Sequence, residues 1–202
     1  MKATSKEIFN SSSDILTLVF LVKEIGWNSI RQQSIQRVVY LSKVLYSFVN
    51  KENKNPFEYY HFTASLSGPY ADIINNSILY LKSNEYISDD DGELKILDAE
   101  LEKQIIEDEK FRWLKTIVYI LGVYGENKIF GFTINDPLYK DAVQRNEPKE
   151  LDTSPDNKTI KVLSQFKEAF EETLEDVSKI DKKEYLELYF EYIFSKIIKR
   201  EV

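Results

Sequence analysis

The stretch Phe62-Thr63-Ala64-Ser65-Leu66-Ser67-Gly68-Pro69-Tyr70-Ala71-Asp72 decides how this chain is read. Within it, Ser67-Gly68-Pro69 is an instruction to the backbone. Ser or Gly suits a helix N-cap, and a proline just behind it has a φ already near the helical value. Its missing N–H would be unpaired in a first turn anyway. The pattern therefore predicts a helix that opens at this motif and ends at Asn84, burying Ile73, Ile74, Ile78, Leu79 and Leu81. Beyond it, Tyr86-Ile87, Asp89-Asp90-Asp91-Gly92 and Leu94-Lys95-Ile96-Leu97 read as strand, tight turn and strand. Asp-Gly is the hairpin signal, because such turns need positive φ.

A helix followed by a small hairpin is the second half of a winged-helix unit. Towards the amino end, Phe57-Glu58-Tyr59-Tyr60-His61-Phe62-Thr63 is aromatic and reads as a short strand or an irregular segment, after a polar loop over 51–56. A helix is expected over 30–50, with a broad apolar stripe of Ile35, Val38, Val39, Leu41, Val44, Leu45, Phe48 and Val49 that makes it central to the core. A first helix is expected over 14–25, capped by Ser12 or Ser13 and ended by Gly26.

Towards the carboxyl end, 98–108 reads as a charged helical connection and 111–121 as an apolar helix containing Trp113, Ile117, Val118 and Ile120. Gly122, Gly125 and Gly131 punctuate the next stretch, Asp136-Pro137 opens a short helix over 138–145, and 147–157 is the linker candidate. A helix over 159–180 carries Ile160, Leu163, Phe166, Phe170, Leu174 and Val177 in steps of three and four. Asp181 with Glu184 then forms a variant capping box for a last helix ending at Arg200, so the two make a helical hairpin. The expected fold is mainly α with a small β-hairpin. It divides into a winged-helix-like core over 1–100 and a helical extension over 101–202, packed as one unit.

Composition narrows the chemistry. An apolar fraction of 43% is ample for a packed core in a 202-residue chain. The absence of cysteine removes disulfides, thiolate nucleophiles and Cys-based zinc sites. With His61 as the single histidine, neither a His-rich metal site nor a Ser-His-Asp triad is well supplied. The apolar run 15–22 is too short to span a bilayer, which needs roughly 20 residues, and no leader pattern is visible, so a cytoplasmic location is expected. Net charge is −7 and unevenly spread: eight Lys/Arg face five Asp/Glu in residues 1–70, against 19 facing 29 in the remainder. An acidic carboxyl-terminal two-thirds is a poor partner for phosphate backbones.

No Gly-rich phosphate loop is present, and Gly122-Val123-Tyr124-Gly125 lacks basic residues between its glycines, so it reads as a helix terminator. His61 has no convergent acid beside it in sequence and reads as a packed residue. Asp89-Asp90-Asp91 lacks the alternating ligands of a calcium loop and reads as a solvated hairpin tip. Glu168, Glu171, Glu172, Glu175 and Asp176 fall on a solvated helix face. The helix after Tyr70 offers Asn75, Asn76 and Lys82 against Asp72, and its wing tip carries aspartates where phosphate contacts want lysines. Sequence-specific DNA binding is therefore not expected, nor is a catalytic residue, a cofactor or a metal.

Four segments carry a resemblance: Gln36-Arg37-Val38-Val39-Tyr40-Leu41, Tyr60-His61-Phe62, Ser67-Gly68-Pro69-Tyr70-Ala71 and Leu81-Lys82-Ser83-Asn84-Glu85-Tyr86-Ile87. Together, over about residues 14–97, they resemble a group of small bacterial winged-helix-like proteins. The group includes Panacea/SocA-like antitoxins and the middle component of ABC-three-component systems, among them the small accessory subunit of Lamassu-type anti-phage complexes. Five residues separate Phe62 from Gly68, more than the related motif has. The resemblance implies a non-enzymatic adaptor working with an SMC-like ATPase subunit and a nuclease-type effector of the same operon, with no membrane partner. The alternatives it carries are an antitoxin-like adaptor for a partner toxin and a winged-helix transcriptional regulator. Ser67, Gly68, Pro69 and Tyr70 are its structural motif. Tyr185, Tyr189 and Tyr192 on the last helix are candidate partner anchors, since Tyr is enriched in interface cores; the same residues suit the chain's own core.

Overall fold

The structure is a computed structural model, and it describes residues 3–50, 54–97, 106, 108–145 and 150–198. Helix α1 (Ser5–Glu24) starts well before the expected Ser12 or Ser13 cap. Thr4 is the actual N-cap: its hydroxyl accepts the Glu7 N–H while the Glu7 carboxylate accepts the Thr4 N–H at 2.7 Å. This reciprocal box satisfies two otherwise orphaned donors and moves the start upstream, leaving Ser11 and Ser12 buried within the helix. Gly26, at φ +86°, follows its end as expected.

A two-residue strand β1 (Ile30–Arg31) leads into α2 (Gln32–Val49), whose apolar stripe is buried from Ile35 to Phe48. The next elements correct the expectation at Ser67-Gly68-Pro69. Those residues do not cap a helix; β3 (Gly68–Tyr70) returns antiparallel to β2 (Thr63–Ser65), pairing Ala64 with Pro69 and Ser65 with Gly68. A proline φ serves an extended chain as well as a helix, and the residue before proline is pushed away from helical geometry. Gly68 takes φ +122°, which only glycine adopts cheaply, and the Ser65 hydroxyl donates to the Gly68 carbonyl at 2.7 Å to close the turn. Helix α3 (Asp72–Ser83) begins only after Ala71, with no side-chain cap.

Helix α3 buries Ile73, Ile74, Ile78 and Leu81, as their spacing predicts, but Leu79 is 59% exposed because it falls off the face turned to α1. Strands β4 (Ile87–Asp90) and β5 (Glu93–Ile96) form the expected hairpin, with Asp91 and Gly92 both at positive φ. This is the geometry of a type I′ turn. Strand β1 joins it, giving the order β1-β5-β4. The described residues thus form a mainly helical fold with a small antiparallel sheet.

Five further helices complete the fold among the described residues: α4 (Glu109–Gly122), α5 (Gly125–Ile134), α6 (Pro137–Arg145), α7 (Lys158–Glu171) and α8 (Lys182–Ile198). Gly122 and Gly125 separate α4 from α5 as expected, whereas Gly131 lies inside α5. Helix α7 stops at Glu171, not near residue 180. The Thr173 hydroxyl donates to the Phe170 carbonyl at 2.6 Å, and Asp176 caps a short 3-10 turn, Val177–Lys179, before α8. Asp181 accepts the Glu184 N–H at 3.2 Å, as the capping box requires. The connection expected over 98–108 lies outside the described residues except for 106 and 108, as does the last helix's end at Arg200.

The described part of the expected linker, 150–157, is not a free tether. The Leu151 N–H donates to the Phe62 carbonyl at 2.7 Å, Glu150 bridges to Thr63, and Asn157 caps α7. The exposed edge of β2 satisfies polar groups that would otherwise face water. One apolar cluster runs across residues 1–100 and 101–202. Trp113 donates its indole N–H to the Ser42 carbonyl at 3.0 Å, and Tyr189 stacks on Phe48 with centroids 5.7 Å apart. Helix α2 is the post on which both halves are built.

Candidate functional site

The apolar stripe of α2 is interrupted by polar residues at positions 36, 37, 40 and 43, and each holds a different part of the segment 58–71 or its support. Gln36 works in both directions on Ala71: its Oε1 accepts the Ala71 N–H at 2.9 Å and its Nε2 donates to the Ala71 carbonyl at 3.2 Å. This copies a strand partner and fixes the point where β3 gives way to α3. Arg37 donates from Nη2 to the Ser67 carbonyl at 2.8 Å, with its guanidinium over the Phe130 ring at 4.5 Å. Burial lowers its pKa, and its Nε has no hydrogen-bond partner among the described residues. Tyr40 packs edge-on against Phe62 at 5.3 Å. Lys43 donates to the carbonyls of Glu58 and Tyr60, at 3.3 and 2.5 Å, and burial pulls its pKa down.

An amide ladder extends this clamp onto α3. Gln32 and Gln36 both donate to Asn75 Oδ1, at 2.9 and 3.0 Å, and Asn75 Nδ2 donates to the Tyr70 hydroxyl at 2.8 Å. Asn75 is therefore committed to its own fold. From the other side, the Tyr139 hydroxyl on α6 donates to the Ser65 carbonyl at 2.5 Å. Tyr139 is held in turn by Asp136, which accepts from the Tyr40 and Thr159 hydroxyls and the Tyr139 N–H. Burial raises the Asp136 pKa against those hydrogen bonds.

The result is a hairpin tip gripped on both sides. Ser65 and Ser67 have their carbonyls fixed by Tyr139 and Arg37, while Leu66 between them is 97% exposed. The arrangement satisfies backbone atoms with buried side chains, so its chemistry is that of shape. The four structural-motif residues, Ser67, Gly68, Pro69 and Tyr70, all belong to it, as a strand and its turn.

A cleft of about 570 Å³ lies beside the hairpin, between α1, α3 and the 150 segment. Glu7, Asp72, Asn76, Tyr59, His61 and Glu150 line it. His61 has no acid near it in sequence, but the fold brings Glu150 to 2.5 Å from its Nδ1. The hydrogen bonds from Thr4 hold the Glu7 carboxyl below its usual range. Beneath the cleft, the buried Asp14 accepts from the Tyr59 and Tyr60 hydroxyls and pairs with Lys110 at 2.6 Å. Burial raises its pKa while Lys110 opposes that rise.

Asp89 at the wing accepts from Lys82 at 2.6 Å and from the Gly92 N–H at 2.8 Å. The Lys82 hydrogen bond holds its carboxyl below the usual range. Among the described residues no group of three His, Asp or Glu side chains could hold a metal ion, and no helix is long and apolar enough to cross a membrane.

The three tyrosines of α8 come together, though not as a row of surface anchors. Tyr189 is fully buried, donates to the Leu163 carbonyl at 2.5 Å and packs with Phe170 and Tyr185. Tyr185 donates to Glu171 at 3.0 Å and sits edge-on to Phe170, and Tyr192 packs on Phe166 and Phe170. Helix α7 supplies the opposing face, which spacing along α8 alone does not assign, so Tyr189 offers nothing to a partner in this fold. The α2 clamp was not expected from the sequence, although polar residues interrupting an apolar stripe are its signature there.

Comparison with known proteins gives no match to a family model, a curated protein or a solved structure.

Proposed function

We propose that this chain is a non-enzymatic adaptor subunit of a bacterial anti-phage defence complex. In this reading it docks on an SMC-like ABC ATPase and helps hold or release a nuclease-type effector. Its core is winged-helix-like, with α3 leading into the β4–β5 hairpin. The observation that supports the reading best is that three of the four motif segments, distant in sequence, interlock on α2. Gln36 and Arg37 clamp Ser67 to Ala71, and Tyr40 meets Phe62. The polar side chains there grip backbone, as a scaffold requires, and present an ordered tip at Leu66.

Co-expression with the products of the flanking genes, followed by size-exclusion chromatography, tests the proposal. Co-elution with the ATPase at fixed stoichiometry is the expected result, and elution of this chain alone overturns it. A stoichiometric complex with one small toxic protein and no ATPase replaces it with the antitoxin-like reading. The DNA-reading alternative is disfavoured by the acidic wing and by Asn75 being committed to Tyr70. A gel shift at low salt, where phosphate contacts are strongest, is expected to show no sequence-specific band.

A further inference from the structure

We propose that a cavity between the carboxyl half of α2, residues 54–58 and residues 153–155 binds a phosphoryl group, free or carried on a small molecule. The cavity measures about 370 Å³, and Lys43, Ser47, Lys54, Glu58 and Thr153 contribute to its lining. The fold sets its walls. Asn55 reaches back to α2, donating from Nδ2 to the Lys43 carbonyl at 2.8 Å and to Ser47 Oγ at 2.7 Å. Opposite, the buried Leu151 anchors the chain. Ser154 is then held by Asp152, which accepts its N–H at 3.1 Å, and by Asn157, which donates to its carbonyl at 2.6 Å.

Two buried donors in this lining have a hydrogen to spare. Lys43 is 7% exposed and carries three N–H groups, of which two serve the carbonyls of Glu58 and Tyr60. Among the described residues no carboxylate forms an ion pair with it; Glu58 and Glu150 act on it only through space. Ser47 is 6% exposed, its oxygen accepts from Asn55, and its own hydrogen meets no acceptor among the described residues. A buried ammonium without an ion partner is costly, and an anion in the cavity relieves that cost. The Thr153 hydroxyl makes no hydrogen bond to the described residues, and Lys54 adds a second cation, paired with Glu58 at 2.7 Å.

The lining thus sets two lysines against one carboxylate in a chain of net charge −7, whereas the cleft beside the hairpin holds Glu7, Asp72 and Glu150 with no lysine or arginine. The carboxyl end of α2 returns about half a negative charge, less than the net charge of those three side chains. A phosphoryl group matches the donors, because its several oxygens accept from lysine and hydroxyl groups together. Against roughly 30 Å³ for one water in the liquid, the cavity also has room for part of a molecule carrying it.

Titration of the isotope-labelled chain with inorganic phosphate, followed by NMR at constant pH and ionic strength, tests this. The amides of Ser47 and Thr153 are expected to shift saturably, with a dissociation constant on the order of 1 mM, the scale of a few net hydrogen bonds. Glycerol phosphate separates the two sources: tighter binding than phosphate assigns the site to a phosphorylated small molecule, and equal or weaker binding assigns it to free phosphate. Thr153→Val and Lys54→Gln, neither of them in the core, are each expected to weaken binding about two- to tenfold. Lys43→Met is expected to abolish it; should that variant fail to fold, the other two carry the test. A drift that never saturates (an adventitious ion only), an equal response to chloride, or unchanged affinity in Thr153→Val and Lys54→Gln overturns the proposal.

Discussion

The α2 clamp and the α7–α8 seam are both buried and both rich in Tyr, yet they are held by different physics. In the clamp, polar side chains answer particular backbone atoms: Gln36 the N–H and carbonyl of Ala71, Arg37 the carbonyl of Ser67, Tyr139 the carbonyl of Ser65. In the seam, Phe170 touches Tyr185, Tyr189 and Tyr192 at once, with centroids 5.5 to 5.6 Å apart. Directional bonds make the clamp specific about geometry, because a lost partner leaves a buried group unsatisfied. Overlapping rings make the seam depend on volume, with each contact shared among neighbours. The clamp defines a shape, and the seam supplies bulk stability.

The largest expected effect belongs to volume. Tyr189→Ala empties a fully buried site against Phe48 and Phe170 and is expected to cost about 3–5 kcal/mol of unfolding free energy. Tyr189→Phe keeps the ring and loses only the hydrogen bond to Leu163, for about 1 kcal/mol. Urea titration of the two variants separates the contributions, and equal losses would show that the seam is directional after all.

Next comes Gln36→Ala, which strands the Ala71 N–H, while the Ala71 carbonyl keeps the Ile74 N–H at 3.1 Å, and is expected to cost about 1–3 kcal/mol. Its effect should be local first. Amides of β2, β3 and the first turn of α3 should lose exchange protection before those of α7 and α8. Uniform loss across the molecule would erase the distinction between the two regions.

The smallest effect concerns the wing. The Lys82 hydrogen bond depresses the Asp89 pKa in the folded chain. The pair therefore stabilises above the ordinary carboxylate pKa of about 3.9, and that contribution is lost as pH falls through the lower folded value. Because the pair is partly exposed it is worth only about 0.5 kcal/mol. Lys82→Met should remove that acid-side slope and leave stability at pH 2 unchanged, as thermal melts from pH 2 to 6 would show.

The same contrast explains which elements are legible in the sequence. Periodic apolar spacing locates α2, α3 and α4, and Asp91-Gly92 announces the β4–β5 turn, because burial and positive φ leave marks in neighbouring residues. Ser67-Gly68-Pro69 misleads because glycine and proline permit a helix start and a strand turn equally. The choice is made by Gln36 and Arg37, about 30 positions away. Thr4 outcompetes Ser12 and Ser13 through a partner three residues on, a local signal that the apolar spacing overshadows. His61 and Glu150 meet only through the tertiary fold, so no spacing could join them.

Helix α2 holds Gly68-Pro69-Tyr70 as a strand, and amide exchange at Ala71, compared in the wild type and in Gln36→Ala, tests this most directly. The clamp predicts strong protection of the Ala71 N–H in the wild type and at least a tenfold loss in the variant, with α8 amides unchanged. An Ala71 amide that exchanges freely in the wild type, or stays equally protected without Gln36, would contradict it.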